Sequence, residues 1–294
     1  MNTIEQALTL FLQDLTPSPS HREASVKHRA GIESSLYGGL NVSSLREIGS
    51  YIHGTAVRNH SDVDLLVGIN GSRPEKSDTA LDWVKAALKR NFPNAPISVD
   101  RPSVVIQVAG GERWELTPGF HKLRRGIDIY DIPGVYGGWI EAAPTEHQSY
   151  VNGINSQARI RGGAKELSRL VKAWKYFNEV PVVSFYLEMR AAEYMSTRQS
   201  YYSHLDICYF LEHLDDIGLA PMDDPTHATN YVIHGTGSFG YSHLAKLRLH
   251  AAAERAQRAV DAVSAGDLPE ALTAYYLLFA EHFPLPLRGH RWSR

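Results

Sequence analysis

The segment Gly49-Ser50-Tyr51-Ile52-His53-Gly54-Thr55-Ala56 is followed by Ser61-Asp62-Val63-Asp64-Leu65-Leu66-Val67, which places two alternate aspartates at the head of an apolar run. Successive residues of a strand point to opposite faces, so Asp62 and Asp64 share one face while Val63, Leu65 and Val67 share the other. The chain must therefore build a sheet with one buried face and two carboxylates aimed at one point. Oxygen ligands at that spacing suit Mg²⁺, which prefers one or two carboxylates plus substrate phosphates to a complete protein cage. Gly49 and Ser50 add backbone N–H groups and a hydroxyl for phosphates, because small residues let the backbone approach closely and a turn can form an anion-binding nest. An isolated Asp-x-Asp pair reads as two solvated acids on an edge strand. The Gly-Ser turn, the Gly54-Thr55 pair, Ser61 and the apolar run after Asp64 weigh against that reading here.

Taken together, this string resembles the signature of the DNA-polymerase-β-like nucleotidyltransferase superfamily, whose Gly-Ser and Asp-x-Asp elements bind a triphosphate and two metal ions. The resemblance implies two Mg²⁺ ions, with Mn²⁺ as an alternative, and a third carboxylate on a later strand of the same sheet. Glu115 is the candidate. Ser103–Val108 reads as a β-branched strand, Ala109-Gly110-Gly111 as its turn, and Arg113–Pro118 as the returning hairpin partner. Glu115 alternates with Trp114 and Leu116, so it can face a cleft while they face the core. Many relatives have Asp here, and the longer Glu leaves metal ligation, general-base action or both open. Asp100 is the next candidate for the third acid.

Helical spacing predicts an amphipathic helix over Ser25–Leu36, with Val26, Ala30, Ile32 and Leu36 inward, and a second over Thr79–Phe92 with Ser77 or Asp78 as N-cap. From about Pro144 the composition turns to helix formers. Gly163–Phe177 carries Leu167, Leu170, Val171, Trp174 and Phe177 on one stripe and Arg161, Lys165, Arg169 and Lys172 on another, which predicts one core face and one cationic face. Ser242–Ala265 is an Ala-rich helix closed by Gly266, and Pro269 opens a last helix to about Glu281. The expected fold class is α+β. A polymerase-β-like nucleotidyltransferase core over residues 1–143 joins an N-terminal helix to a mixed sheet, and a helical lobe over 144–294 completes the nucleotide cleft.

Lys172 and Lys175 lie three apart on one helix and can reach the same side. A fixed cation stabilises the charge on a leaving pyrophosphate, although most charge runs are simply solvated. Ser184, Phe185 and Tyr186 then open the next helix, whose N-terminus attracts phosphate. An aromatic there could stack on a base, and at such positions Phe185 and Tyr186 are more often core residues. The order Arg169-Leu170-Val171-Lys172-Ala173-Trp174-Lys175, then Ser184-Phe185-Tyr186-Leu187-Glu188, then Asp224-Pro225 with Asn230, resembles the bacterial CD-NTases, the relatives of cyclic GMP-AMP synthase. The closing Tyr275-Tyr276-Leu277-Leu278-Phe279 with Phe283-Pro284 fits the same pattern, and the resemblance covers nearly the whole chain. It implies that Lys172 or Lys175, with Ser184, binds nucleotide phosphates. It also implies that nucleoside triphosphates are joined into cyclic di- or trinucleotides that switch on an antiphage effector.

The remaining features narrow the function classes. The 294 residues are 43% hydrophobic, enough for a large core in one or two domains, and the net charge of −2 offers no field for holding a long nucleic acid. Transfer of a nucleotide onto tRNA or RNA needs an extended cationic groove, and with transfer to a small-molecule acceptor it is the alternative enzymatic reading. A nucleotide sensor without catalysis is the non-enzymatic one. Three converging carboxylates are costly to keep without metal, which argues against it. No run of about 18 apolar residues exists to span a bilayer, and the N-terminus lacks the basic and apolar regions of a signal peptide. Cys208 as the sole cysteine favours a cytoplasmic setting; a monomer with no membrane partner and no stable nucleic-acid partner is the accompanying expectation. The histidines show no zinc-like spacing. Gly235–Gly240 lacks the strand and Lys-Ser/Thr of a phosphate loop and reads as a connection. The basic tail of Arg288, Arg291 and Arg294 receives no role.

Overall fold

The computed structural model describes residues 3–108, 112–237 and 239–285, without the side chains of 19–27 and 239. Val26, the Ala109-Gly110-Gly111 turn, Ser238 and the basic tail therefore lie outside the description. The chain divides into two compact units, one of Pro17–Ser149 with Thr226–Tyr231, the other of the segment up to Thr16, Tyr150–Pro225 and the segment from Val232 onward.

After α1 (Ile4–Leu15), the sheet-bearing unit runs α2 (Pro19–Gly39), β1 (Val42–Ile48), α3 (Gly49–His53), β2 (Val63–Ile69), α4 (Ser77–Asn91), β3 (Ile97–Asp100), β4 (Ser103–Gln107), β5 (Arg113–Arg124), β6 (Ile127–Pro133) and β7 (Trp139–Ala142). The strand order is β1-β2-β5-β4-β3, with β6 on β5 and β7 on β6. Among the described residues only β2 and β5 pair in parallel. Parallel neighbours need a long crossover, which α4 supplies. Alternation puts Val63, Leu65, Val67, Val104, Ile106, Trp114 and Leu116 on one face, where Ile32 and Leu36 of α2 and Leu81, Val84 and Leu88 of α4 cover them. The opposite face keeps the acids.

Two local expectations change here. Ala30 is exposed, because it lies about 200° around the helix from Ile32. Ser77 and Asp78 sit inside the first turn of α4 rather than capping it, since Lys76 takes the N-cap position and Asp78 pairs with Arg101.

After α5 (Pro144–Asn155), the second unit carries α6 (Gly163–Phe177), α7 (Ser184–Thr197) and α8 (Ser203–Asp216). A short ribbon of β8 (Met222–Asp223) and β9 (Val232–Ile233) precedes α9 (Phe239–Ser264) and α10 (Leu268–Leu278). Gly266, at φ +74°, ends α9, and the Asp267 side chain accepts the Glu270 N–H to open α10. In place of one cut after residue 143, α1 groups with these helices and the join falls inside α5. The reason is packing: Phe11 of α1 meets Phe279 and Phe283 with ring centroids 4.7 and 5.1 Å apart. Glu5 pairs with His204 and accepts the Ser203 hydroxyl.

Candidate active site

The site grows out of the β1–β2 pairing, in which Ile48 stands opposite Asp64. The next residue, Gly49, turns the chain at φ +69° into the single turn of α3. A side chain there would place its Cβ 2.7 Å from Asp64 Cγ and closer still to Oδ2, so the missing Cβ is the seat of the Asp64 carboxylate. The Gly-Ser turn is thus the start of a short helix. Gly54 ends it in the left-handed region, and Thr55 N–H donates to Ser50 O at 2.9 Å. Ser61 has a structural contact: its hydroxyl accepts the Val57 N–H at 2.9 Å and closes the loop that delivers Asp62.

Glu115 lies directly opposite Asp64 across the parallel β2–β5 pair. Its neighbours Trp114 and Leu116 are fully buried on the other face, as the alternation requires. Two residues on, Thr117 hydrogen-bonds Ser103 of β4, oxygen to oxygen at 2.8 Å, which fixes this face of β5 against β4. Burial pushes the Glu115 carboxyl up to about 7, the Asp62 charge and a hydrogen bond with Asp62 push in the same direction, and Arg113 pulls it down. Asp62 and Glu115 therefore share one small volume.

Arg113 joins them. Its Nε lies 3.1 Å from Asp62 Oδ2, and its Nη2 lies 2.9 Å from Glu115 Oε1 and 3.1 Å from Asp100 Oδ2. Burial lowers the Arg113 pKa, but Asp62 and Glu115 beside it more than offset this, so it sits above its ordinary value. In the sequence Arg113 stands out only as the first residue of a strand. The available signal was parity, because residues 113 and 115 of one strand face the same way.

Among the described residues, no three acidic, histidine or cysteine side chains stand close enough to share a metal ion. The donor set nevertheless fits a hard divalent cation: every candidate ligand is a carboxylate oxygen, Gly49 leaves room for one of them, and Arg113 already holds positive charge between Asp62 and Glu115. Asp62, Asp64 and Glu115 are the residues that would hold it.

On the helical unit the five expected phosphate and base ligands separate. Lys172 is only 1% exposed, and its ammonium lies 3.1 Å from the buried Glu188 carboxylate, so the expected cationic face turns inward at this residue. An ammonium deep in a helix pair needs such a partner. Lys175, one turn on, donates to Ser184 Oγ at 2.7 Å and lies over the Tyr176 ring. Ser184 begins α7, as expected. Tyr186 is wholly buried with its hydroxyl donating to Ala220 O at 2.8 Å, which makes it a core residue, and Phe185 is half-buried. Two of the histidines have ordinary acidic partners, His121 with Asp128 and His250 with Asp215.

A family model for the second messenger oligonucleotide or dinucleotide synthetase (SMODS) domain matches residues 1–155, more than half of the 294. The chain belongs to this family. It is thus a nucleotidyltransferase of the class that makes second-messenger oligonucleotides. No curated protein matches it by sequence. The SMODS chain is similar in fold to CdnC of E. coli MS115-1, solved with ATP, at a TM-score of 0.74 and 17% identity, over 97% of this chain and 100% of that one. It is similar to the CD-NTase CdnG of Bradyrhizobium diazoefficiens, solved with GTP, at 0.70 and 12%, over 93% and 98%. A third likeness is to the Vibrio cholerae cyclic AMP-GMP synthase DncV with a linear intermediate, at 0.63 and 14%, over 82% and 69%. The α+β, polymerase-β-like fold expected from the sequence is therefore the fold of this SMODS protein. No helix among the described residues is long and apolar enough to cross a membrane.

Proposed function

We propose that this SMODS protein is a Mg²⁺-dependent synthase that joins nucleoside triphosphates into a cyclic di- or trinucleotide, which acts on an effector in antiphage signalling. The observation that carries the reading is the placement of Glu115 opposite Asp64 and within reach of Asp62, three carboxylates on one face of a sheet in a family of nucleotidyltransferases. Asp62 and Asp64 hold the cations, and Glu115 completes the set. When bound, the two ions supply the positive charge that polarises the α-phosphate and favours ionisation of the attacking hydroxyl.

The chain's own residues need no covalent step. A ribose hydroxyl attacks the α-phosphorus in line, the bond to the β-phosphate oxygen breaks, pyrophosphate leaves, and the hydroxyl proton passes to Glu115. Glu115 stands directly opposite Asp64, so the base lies beside the acids that hold the reacting phosphate. Gly49 and Ser50 line the triphosphate. Lys175 and Ser184 are the proposed phosphate ligands of the helical unit, supported by their contact with each other. Lys172, by contrast, is proposed as the internal partner of Glu188. A linear intermediate retained at the same acids presents its own free hydroxyl, so ring closure becomes intramolecular and gains from proximity. The near-neutral charge supports small nucleotides rather than a polynucleotide as substrate, and the sole cysteine, buried, supports a cytoplasmic setting.

Purified protein given the four nucleoside triphosphates and Mg²⁺ tests the reading. Phosphatase digestion followed by mass spectrometry should leave a resistant di- or trinucleotide. Products that are entirely phosphatase-sensitive, or that form only when RNA is added, would sink it.

A further inference from the structure

Two of the three carboxylates that share the Arg113 guanidinium are proposed metal ligands, Asp62 and Glu115. The third, Asp100 at the end of β3, is 67% exposed and stands outside the acid set. One planar cation therefore touches the inner acids and an outer acid at once. A guanidinium is always charged and offers its donors in a rigid fork. A divalent ion has to approach its carboxylate oxygens to about 2.1 Å. Both cannot use the same edge of Asp62 and Glu115 together.

We propose that Arg113 is the internal counter-ion of the metal site: it competes with the divalent ion for Asp62 and Glu115, and Asp100 keeps it nearby when metal displaces it. The inference rests on the reading of Asp62 and Glu115 as metal ligands. Asp62 and Glu115 repel one another when both are ionised, and Arg113, in contact with each, offsets that repulsion. Loading the site means breaking its two inner ion pairs, so Arg113 raises the metal concentration at which the enzyme becomes competent. Asp100 lowers that barrier because the displaced guanidinium does not have to be left unpaired. Arg113 acts through the acids, as a positioning residue.

The test uses the full-length protein without nucleotide and with Mn²⁺ as probe, following bound ion by electron paramagnetic resonance and melting temperature across the same titration. Arg113→Met keeps the stem and removes the charge. It should lower the melting temperature of the metal-free protein and tighten Mn²⁺ binding threefold or more. Arg113→Lys keeps the charge but cannot span both inner acids, and it should also tighten Mn²⁺ binding. A general field effect would leave Arg113→Lys at wild-type affinity, and that result overturns the proposal. Weaker Mn²⁺ binding in both variants also overturns it, because Arg113 would then be building the site rather than competing for it. Asp62→Asn with Glu115→Gln separates the two layers of argument: wild-type Mn²⁺ binding in that variant refutes the metal site itself, whatever Arg113 does.

Discussion

Gly49→Ala is the sharpest test of how the sheet positions Asp64. The new methyl would lie 2.7 Å from Asp64 Cγ and 3.1 Å from its Cβ. Comfortable carbon–carbon contact begins near about 3.5 Å, so the carboxyl has to retreat by roughly 1 Å. A displacement of about 1 Å in a reacting constellation costs on the order of 10²-fold in rate. The backbone adds a separate penalty, since a left-handed conformation costs a residue with a Cβ about 1–2 kcal/mol. In a chain of this size that corresponds to a fall in melting temperature of roughly 2–3 °C.

The two effects are separable with Gly71→Ala, because Gly71 also has a positive φ, +99°, but no atom lies within 4 Å of the added Cβ. Pyrophosphate release at saturating triphosphate and Mg²⁺, with melting curves on the same samples, reads both quantities. Gly71→Ala should lose stability and keep turnover. Gly49→Ala should lose both. If Gly49→Ala turned over like Gly71→Ala, the position of the Asp64 carboxylate would not matter to the chemistry.

Asp62→Asn combined with Asp64→Asn should abolish metal-dependent turnover while leaving the fold intact, as activity and melting temperature measured together would report. In the metal-free protein Glu115, held at about 7 against an ordinary 4.5, keeps a proton between those pH values that the unfolded chain has already released. Stability should therefore fall as pH rises from 4.5 through 7, by about 3 kcal/mol at most, and the slope should flatten in Glu115→Gln; an unchanged slope refutes the assignment. Lys172→Ala removes the ammonium that faces the buried Glu188 carboxylate and should lower stability by denaturant unfolding, whereas Lys172→Met with Glu188→Leu should recover most of the loss. Lys175→Ala should leave stability near wild type and weaken triphosphate binding more than monophosphate binding, and equal losses for both nucleotides would remove Lys175 from the phosphates.

What the sequence carried was what strand parity and helical spacing encode locally. The span of α6, the opening of α7 at Ser184 and the β4–β5 hairpin follow from residues a few positions apart. So does the opposition of Glu115 to Trp114 and Leu116. Two kinds of feature were missed. Helix α1 carries Ala7, Leu8, Phe11 and Leu15 at helical spacing, but its grouping with the helical unit depends on Phe279 and Phe283, more than 260 residues away in sequence. The partner of each cation was the second kind. Lys172 and Lys175 look alike in sequence, yet a rotation of about 300° around α6 buries one against Glu188 and brings the other to Ser184. Parity says which way a side chain points, whereas the identity of its partner is set by which helix packs on that face.

The same distinction explains why β5 is the element on which core and chemistry meet. Its buried residues Trp114 and Leu116 interlock with Val104 and Ile106 across β4, and its acid-bearing face carries Arg113, Glu115 and Thr117. A slip of one residue against β2 would turn Arg113 and Glu115 into the apolar core and Trp114 out of it, since the side-chain period is two. Burying an ion pair without compensating partners costs several kcal/mol per ion, and exposing Trp114 forfeits the burial of a large aromatic besides. Competing registers are therefore disfavoured by the core before any ligand is present. The alignment of Glu115 with Asp64 is in this sense enforced from the far side of the sheet: hydrophobic residues that never touch a nucleotide determine where the third acid stands.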